Sequence, residues 1–343
     1  MQYELKQQII EPLRHTFDPL IKRYGDKPAS RYLEGTIDLQ PVENFHYRPT
    51  WDATRELYDA DYSALKLADP YSYLDPRQYY YTPYVTNRAA MHEAFGKTLD
   101  YVTDHGLLER TPEAWQQLIT EVIIPLRHYE SGGQMLFSNA CRFGYGATIT
   151  QCAGYEGFDR VGNAQLISRV GIALGNQTAA QLKVAKQLWL EEPSLQGLRE
   201  AIEKLLVEED WAVGVIGMDM VDELLDQLVY RHLDEAAILG GAGAYSLLAQ
   251  HIGTWWTDHR KWLDALYKTW VNDEEYGESN KAAMSAAINK WLPQGYAAVR
   301  SHAEHADALV ATGAVERLDE YVGEVVEKYR KLGLDIDDVK VGA

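Results

Sequence analysis

The sequence predicts an all-α protein in which a helical bundle follows an irregular N-terminal arm. From about residue 89 onward, apolar residues recur at helical spacing almost without interruption. Convincing strand patterns are lacking, apart from a candidate extended tail at "DVKV". With 343 residues, of which 46% are hydrophobic and 11% aromatic, the chain can fill a sizeable core. We therefore expect one helical domain over residues 89–343 and an arm over residues 1–88.

The arm is rich in proline, tyrosine and aspartate. A proline about every ten residues prevents long helices there. Its aromatic surface is too large for an irregular segment to bury alone, so it must pack on the chain's own core or on a second chain. The pattern alone leaves both options open. The tyrosines that make up this aromatic surface are Tyr71, Tyr73, Tyr79, Tyr80, Tyr81 and Tyr84.

The helices of the bundle are predicted from capping residues and periodicity. In "TPEAWQQLITEVIIPL", Thr111 is the expected N-cap and Pro112 the first helical residue, while Pro125 should kink this helix without ending it. Ser194 is the expected cap of a later helix. A "GGAG" turn separates two long helices. The long helices are expected at 209–239, 244–272, 278–311 and 313–332.

The charge and the cysteine content limit the partners and the compartment. The net charge is −18, from 33 basic and 51 acidic residues, so nucleic acid and anionic membrane surfaces are unfavourable partners. The chain contains no apolar run long enough for a membrane span, and "MQYELKQQII" does not resemble a signal peptide. Cys141 and Cys152 form no disulfide framework, and on one helix they would be roughly 16 Å apart. We expect reduced thiols and a cytoplasmic location.

Sequence motifs of common catalytic sites are missing. The chain has no G-x-S-x-G motif, and "LGGAGAYS" follows a helix, which favours close helix approach or a turn over a dinucleotide loop. In "SHAEH", His302 and His305 do not have the spacing of a zinc-protease motif and predict a solvated polar face. No catalytic and no cofactor-binding residue is therefore predicted.

An adjacent acid and histidine, Asp258 and His259, lie between tryptophans in "GTWWTDHRKW" and raise the question of a metal site. A carboxylate-bridged di-iron site in a bundle needs a lone Glu on each of two helices and Glu-x-x-His on each of two others. Of the ten histidines only His46 has a Glu three residues earlier, Glu43, and both lie in the arm. Trp256 stands where the partner of His259 would be needed. The chain alone should not assemble this centre.

The stretches "GDKPASRY", "DLQPVENFHYRPTWD" and "DPRQYYYTPY" make the sequence similar to the beta subunit of bacterial multicomponent phenol hydroxylases, over essentially its full length. These belong with the toluene, alkene and methane monooxygenases. The resemblance implies a ferritin-like, ribonucleotide-reductase-like bundle. It also implies that the di-iron centre and the substrate pocket lie in an alpha subunit, and that the beta subunit keeps the fold without the metals.

The resemblance further implies partners and a function. Two copies each of alpha, beta and gamma subunits would assemble, with a regulatory protein and a reductase carrying FAD and an iron–sulphur cluster as transient partners. The reductase would pass electrons from NADH, and the complex would use O2 to hydroxylate an aromatic ring. This chain would be a non-catalytic structural and docking subunit, with the tyrosines Tyr71 to Tyr84 at a subunit interface.

Three alternatives remain open. The chain could be the beta subunit of a toluene or alkene monooxygenase, or a helical interaction protein outside any oxygenase. It could also be a self-sufficient ferritin-like di-iron oxidoreductase that binds metal through side chains near the bundle centre. Those side chains would be Glu130, Asp222, Asp258 and His259.

The resemblance also suggests where metal ligands have been lost. In alpha-like chains the lone Glu precedes its Glu-x-x-His by about 30 residues in the first half and about 34 in the second. With His259 in the last position and "FDRVGN" as the first Glu-x-x-His stretch, the six ligand positions become Glu130, Arg160, Asn163, Asp222, Trp256 and His259.

The substitutions at these positions suggest how a bundle without metal ions balances the charge of its buried carboxylates. Buried carboxylates without cations are costly, so we expect Arg160 to pair with Glu130 or Asp222 and Trp256 to fill the metal volume. Alternatively these residues are ordinary polar groups of the core. Helical spacing places Asp222 and His259 on interior faces. The two predicted interior stripes are Trp211, Val215, Met218, Asp222, Leu225 and Val229, and Leu248, Ile252, Trp255, His259 and Leu266.

Overall fold

The computed structural model describes residues 16–40, 54 and 56–342. The described residues form α-helices joined by turns and irregular segments and contain no β-strand, which confirms the all-α prediction. The candidate extended tail at "DVKV" is not a strand. The Glu43 and His46 pair lies outside the described residues, as does much of the segment that contains it.

Before the first long helix, which begins at Tyr81, the helices are short and are separated by irregular chain, as the proline spacing predicts. A 3-10 turn at Pro70–Ser72 precedes the first long helix. The helices up to residue 205 are α1 (Asp18–Tyr24), α2 (Arg31–Glu34), α3 (Tyr81–Asp104), α4 (Glu113–Leu118), α5 (Leu126–Phe143), α6 (Ala147–Leu174), α7 (Ala180–Glu191) and α8 (Pro193–Leu205).

The second half contains the longest helices, and those expected at 244–272, 278–311 and 313–332 are confirmed within two residues. The helix expected at 209–239 is interrupted by a π-helical turn at Asp226–His232. The helices are α9 (Trp211–Leu225), α10 (Leu233–Leu239), α11 (Gly243–Val271), α12 (Gly277–Leu309) and α13 (Ala314–Lys331).

The bundle is assembled around pairs of long helices. Helix α5 packs along α6, and α12 packs against both α8 and α9. Helix α11 lies across α3 and α6 and also contacts α12. All residues of the two predicted interior stripes on α9 and α11 are buried, which confirms that these faces point into the core.

The predicted arm is too long at its C-terminal end. Helix α3 begins at Tyr81, so the boundary at residue 88 falls inside a helix. Pro83 did not prevent this, because it stands in the first turn, where the backbone N–H groups have no partner within the helix.

Two predicted N-caps are wrong by one or two residues. The Thr111 hydroxyl donates to the Leu107 carbonyl at 3.0 Å, so it completes the preceding turn, and Pro112 precedes the first residue of α4. Helix α8 begins at Pro193, and the Glu192 side chain, not that of Ser194, accepts from the helix backbone. Both prolines still mark the helix starts.

The structure has two helices around Pro125, whereas the sequence predicted one kinked helix. A π-helical turn at Ile119–Ile123 follows α4, and α5 starts directly after Pro125. The Ile124 N–H donates to the Ile119 carbonyl at 2.9 Å, so the helical path continues through a wider turn before the proline.

The predicted turn at "GGAG" is confirmed, because α10 ends there and Gly241 has a positive φ of +74°. The prediction of a solvated face at His302 is wrong. Its imidazole is buried, its Nε2 lies 3.0 Å from the Val122 carbonyl, and burial lowers its pKa to about 4. His305 pairs with Glu121 at 2.9 Å. Spacing alone did not reveal that α4 and the π turn cover this part of α12.

The two cysteines lie on different helices, Cys141 on α5 and Cys152 on α6, and both thiols are free. Among the described residues, no helix combines the length and the apolar character that crossing a bilayer requires.

Candidate functional site

The centre of the bundle holds a fully buried arginine. Arg160 of α6 lies among Glu130 of α5, Glu156 of α6 and Asp222 of α9, and its side chain is 1% exposed. Its Nε donates to Glu156 Oε1 at 2.8 Å, and its Nη1 donates to Asp222 Oδ1 at 3.0 Å. Nη1 also lies 3.4 Å from Glu130 Oε2, while Nη2 contacts the second oxygen of Asp222. One guanidinium thus holds carboxylates from three helices.

His259 of α11 joins the same cluster through Glu156. Its Nδ1 lies 2.6 Å from Glu156 Oε2, and the imidazole is fully buried. The rings of Trp255 and Trp256 stack on it with centroid distances of 5.2 and 4.9 Å. Its Nε2 has no hydrogen-bond partner among the residues that the structure describes. Two indole rings therefore pack on the imidazole of His259.

Two of the carboxyl groups around Arg160, Glu130 and Glu156, differ in how readily they hold a proton. Burial raises the pKa of Glu130 to about 7, although Arg160 acts in the opposite direction. Burial also disfavours the charged form of Glu156, but His259 and Arg160 together lower its pKa to about 2. Near neutral pH the protein can therefore keep a proton on Glu130.

The expected pairing of Arg160 is found, and it involves both Glu130 and Asp222. Asn163 is buried one turn beyond Arg160, and its side chain helps to lower the pKa of Glu130. Trp256 packs on His259, as a residue that fills volume would. That these positions once held metal ligands remains a prediction.

Sequence reasoning missed Glu156, which connects the arginine to the histidine. Glu156 does not stand three residues before a histidine, and its partners are Arg160 four residues later and His259 on another helix. The i, i+4 spacing to Arg160 was the available signal.

Asp258 does not join its neighbour His259. Its Oδ2 accepts from Arg88 Nη2 at 2.9 Å and from the Tyr79 hydroxyl at 3.2 Å, on the side of α11 that faces α3. Consecutive helical residues point in different directions. The alternative ligand set that combined Asp258 with Glu130, Asp222 and His259 is therefore wrong, since these four side chains do not converge.

The residues at the bundle centre do not fit a di-iron centre. The Arg160 guanidinium occupies the space between the carboxylates and already supplies their countercharge. The indole of Trp256 packs on the His259 imidazole, and an indole N–H is a donor that cannot serve as an anionic iron ligand. In the described part of the chain, no group of three or more His, Cys, Asp and Glu side chains is arranged to hold a metal ion.

A second buried network, which the sequence did not predict, lies on the outer side of α9. The buried Asp219 carboxylate accepts from the hydroxyls of Tyr267 at 2.9 Å and Tyr329 at 3.1 Å, and Arg260 also contacts it. Glu223, one turn later on α9, pairs with Lys328 at 2.9 Å. Each carboxylate has a cationic partner, and the network connects α9, α11 and α13.

Four of the six tyrosines expected at a subunit interface are buried within the chain. These are Tyr71, Tyr73, Tyr79 and Tyr84. The Tyr84 hydroxyl, for example, donates to Asp159 at 2.8 Å. The surface of these four tyrosines is thus buried inside the chain, and they are not available for the expected contact with another subunit. It stays a prediction for Tyr80 and for Tyr81, which is 72% exposed.

The sequence of this chain is similar to those of known oxygenase components. A family model described as Methane/Phenol/Alkene Hydroxylase matches residues 51–274. The chain is 35% identical over 335 residues to the phenol 2-monooxygenase oxygenase component DmpL of Pseudomonas sp. (strain CF600), covering 97% of this chain and 98% of that one. It is 31% identical over 335 residues to the oxygenase component MhpL of Acinetobacter pittii (strain PHEA-2), with the same two coverages.

Among solved structures, the phenol hydroxylase from Pseudomonas sp. OX1 superimposes with a TM-score of 0.89 at 31% identity. The match covers 98% of this chain and 100% of that chain.

Proposed function

This chain belongs to the methane, phenol and alkene hydroxylase family, and on that premise we propose that it is the non-catalytic beta subunit of an aromatic hydroxylase. The assembled enzyme would use O2 and electrons derived from NADH to hydroxylate a ring such as that of phenol. This subunit would support the assembly and provide docking surface.

The observation that carries the proposal is the position of Arg160. Two divalent iron ions need anionic ligands whose charge is otherwise unpaired. Here one buried guanidinium contacts Glu130, Glu156 and Asp222, so a cation placed among them would meet a fixed positive charge. Metal binding would require Arg160 to leave a site in which it is fully buried.

The same contacts indicate a structural role for the cluster. Arg160 joins α6 to α5 and α9, and Glu156 extends the network to His259 on α11. Four helices are thereby connected through charged hydrogen bonds, which are stronger than those between neutral groups.

The chemistry would then reside on an alpha subunit that carries the di-iron centre. A gamma subunit, a regulatory protein and a reductase with FAD and an iron–sulphur cluster would complete the system in the manner of the family. The relatives named above are oxygenase components, which supports a role within such a complex.

Iron analysis of the assembled hydroxylase tests the proposal. We expect two irons for each pair of this chain and the alpha subunit, and four would contradict a metal-free role. The variants His259→Asn and Asp222→Asn of this chain should leave the iron content unchanged. Loss of two irons in either variant would likewise contradict the proposal.

Reconstitution tests the supporting role. Phenol hydroxylation is measured with the alpha and gamma subunits, the reductase and the regulatory protein, with and without this chain. We expect turnover only when it is present. Turnover by this chain and the reductase alone would instead identify a self-sufficient oxidoreductase.

A further inference from the structure

An uncharged surface lies on the outer side of three helices. We call it the α3–α5–α6 face and define it by residues 81–90, 131–139 and 147–165. Large apolar side chains are exposed on it, among them Tyr81 at 72% and Phe158 at 65%. The exposed apolar residues of the face are Tyr81, Val85, Met135, Phe158 and Val161.

The three helix segments form one continuous surface. The Tyr84 ring of α3 stacks on the Tyr155 ring of α6 with a centroid distance of 4.2 Å. On its other side α6 packs against α5, where a Cβ added at Gly157 would be in ordinary van der Waals contact with Ser138 Oγ at 3.6 Å. The Phe158 ring lies 6.5 Å from the Tyr84 ring and so extends the exposed surface from α3 onto α6.

The polarity of this part of the bundle is inverted. The charged residues within the three segments are Arg88, Glu156, Asp159 and Arg160, and all four are buried. Arg88 donates to Asp159 at 2.8 Å inside the protein, beneath the exposed Phe158. A helix that faces water carries its charged residues outward and its apolar residues inward. The inversion on α6 is therefore the pattern of a helix with protein on both sides.

We infer that the α3–α5–α6 face binds the larger subunit of the hydroxylase, and that this subunit presents an apolar helix surface without charges. The inference rests on the proposed function, which supplies the assembly. A charged partner surface would lose its hydration here without gaining a countercharge. Depletion of charged residues, more than hydrophobicity itself, distinguishes the core of an interface from ordinary protein surface.

The exposed area is consistent with the core of a stable interface. Aromatic side chains bury about 150 to 250 Å² each, so Tyr81 and Phe158 together offer roughly 200 to 340 Å². This is a quarter or more of the roughly 800 Å² that each partner contributes to a standard interface. Val85, Met135 and Val161 extend the area.

Charge also argues against a second copy of this chain as the occupant. Two copies would bring together two net charges of −18. Their mutual repulsion opposes association through a face that supplies no ion pairs to offset it. A subunit with a smaller negative charge would be repelled less strongly.

The test compares two matched substitutions of exposed apolar residues. Phe158→Glu places a charge in the face, and Val207→Glu places one at a residue that is 76% exposed between α8 and α9. The full-length chain is titrated with the purified larger hydroxylase subunit. We expect Phe158→Glu to weaken binding at least 30-fold, as for an aromatic hot spot, and Val207→Glu to change it less than about threefold.

Thermal unfolding checks that both variants are folded. If Phe158→Glu does not fold, Phe158→Ala replaces it in the titration. Wild-type affinity of the folded Phe158 variant would overturn the inference while leaving the proposed function intact. Failure of the wild-type chain to bind the larger subunit would overturn both. If Phe158→Glu abolished self-association of the chain but not binding of the larger subunit, a second copy would be the occupant and the inference would be wrong.

Discussion

The Nδ1 atom of His259 lies 2.6 Å from Oε2 of Glu156, whose other oxygen accepts from Arg160. This carboxylate therefore joins α11 to the arginine that holds Glu130 and Asp222. The histidine that suggested a metal ligand in the sequence instead lies beside a carboxylate that is ion-paired with a buried arginine.

Removal of the central cation should destabilise the protein strongly. In Arg160→Met, three buried carboxyl groups lose their shared partner, and we expect the free energy of unfolding to fall by about 3 to 5 kcal/mol. The measurement is urea-induced unfolding at pH 7. Arg199→Met is the control, because Arg199 forms an exposed i, i+4 pair with Glu203 and should contribute no more than about 1 kcal/mol. Equal losses for both variants would refute a central role of Arg160.

The raised pKa of Glu130 predicts a specific pH dependence. The folded protein retains a proton on Glu130 up to a pKa of about 7, whereas the unfolded chain releases it near the ordinary value of 4.5. The folded state thus binds more protons in this window, and Glu130 makes stability fall as the pH rises.

The variant Glu130→Gln removes this dependence. Relative to wild type, its free energy of unfolding should rise by up to about 3 kcal/mol between pH 4.5 and 7, at no more than about 1.4 kcal/mol per pH unit. Urea unfolding at several pH values measures the difference. Glu200→Gln, at an exposed site on α8, is the control. A constant difference between variant and wild type would show that Glu130 does not titrate in this range.

The contact between Asp258 and α3 should control local opening of the chain before that helix. Asp258→Asn weakens the ion pairs with Arg88 at 2.9 Å and Arg77 at 3.7 Å, each worth about 1 to 3 kcal/mol when charged groups are buried. Because the Arg77 side chain is buried, trypsin can cleave after it only when the segment opens. We expect cleavage about tenfold faster than in wild type. Lys261→Ala, which removes the exposed partner of Asp258, should leave the rate unchanged.

Two glycine substitutions should change stability in opposite directions. A Cβ at Gly217 of α9 would lie 2.5 Å from Leu205 and 2.9 Å from Trp291, so Gly217→Ala should cost about 1 to 3 kcal/mol. Gly323 of α13 has no atom within 4 Å of such a Cβ, and Gly323→Ala should stabilise the helix by about 0.5 to 1 kcal/mol. Thermal unfolding measures both. A stabilising Gly217→Ala would show that α9 is not closely packed against α8 and α12.

Helix periodicity predicted much of the bundle. The stripes through Asp222 on α9 and His259 on α11 were placed in the core because apolar residues recur around them, and both are buried. Periodicity could not place the caps of α4 and α8, because Thr111 and Ser194 are plausible caps until the preceding turn is known. It also could not show that His302 is covered by another helix.

The sequence by itself determined that this protein is a helical bundle with no second Glu-x-x-His pair, since those features depend only on residue type and spacing along one helix. Only the tertiary structure decided which charges meet. Arg160 binds carboxylates from α5 and α9, and Glu156 reaches His259 on α11. The reason is physical: ion pairs between helices depend on the packing of whole helices, and no local spacing records that packing.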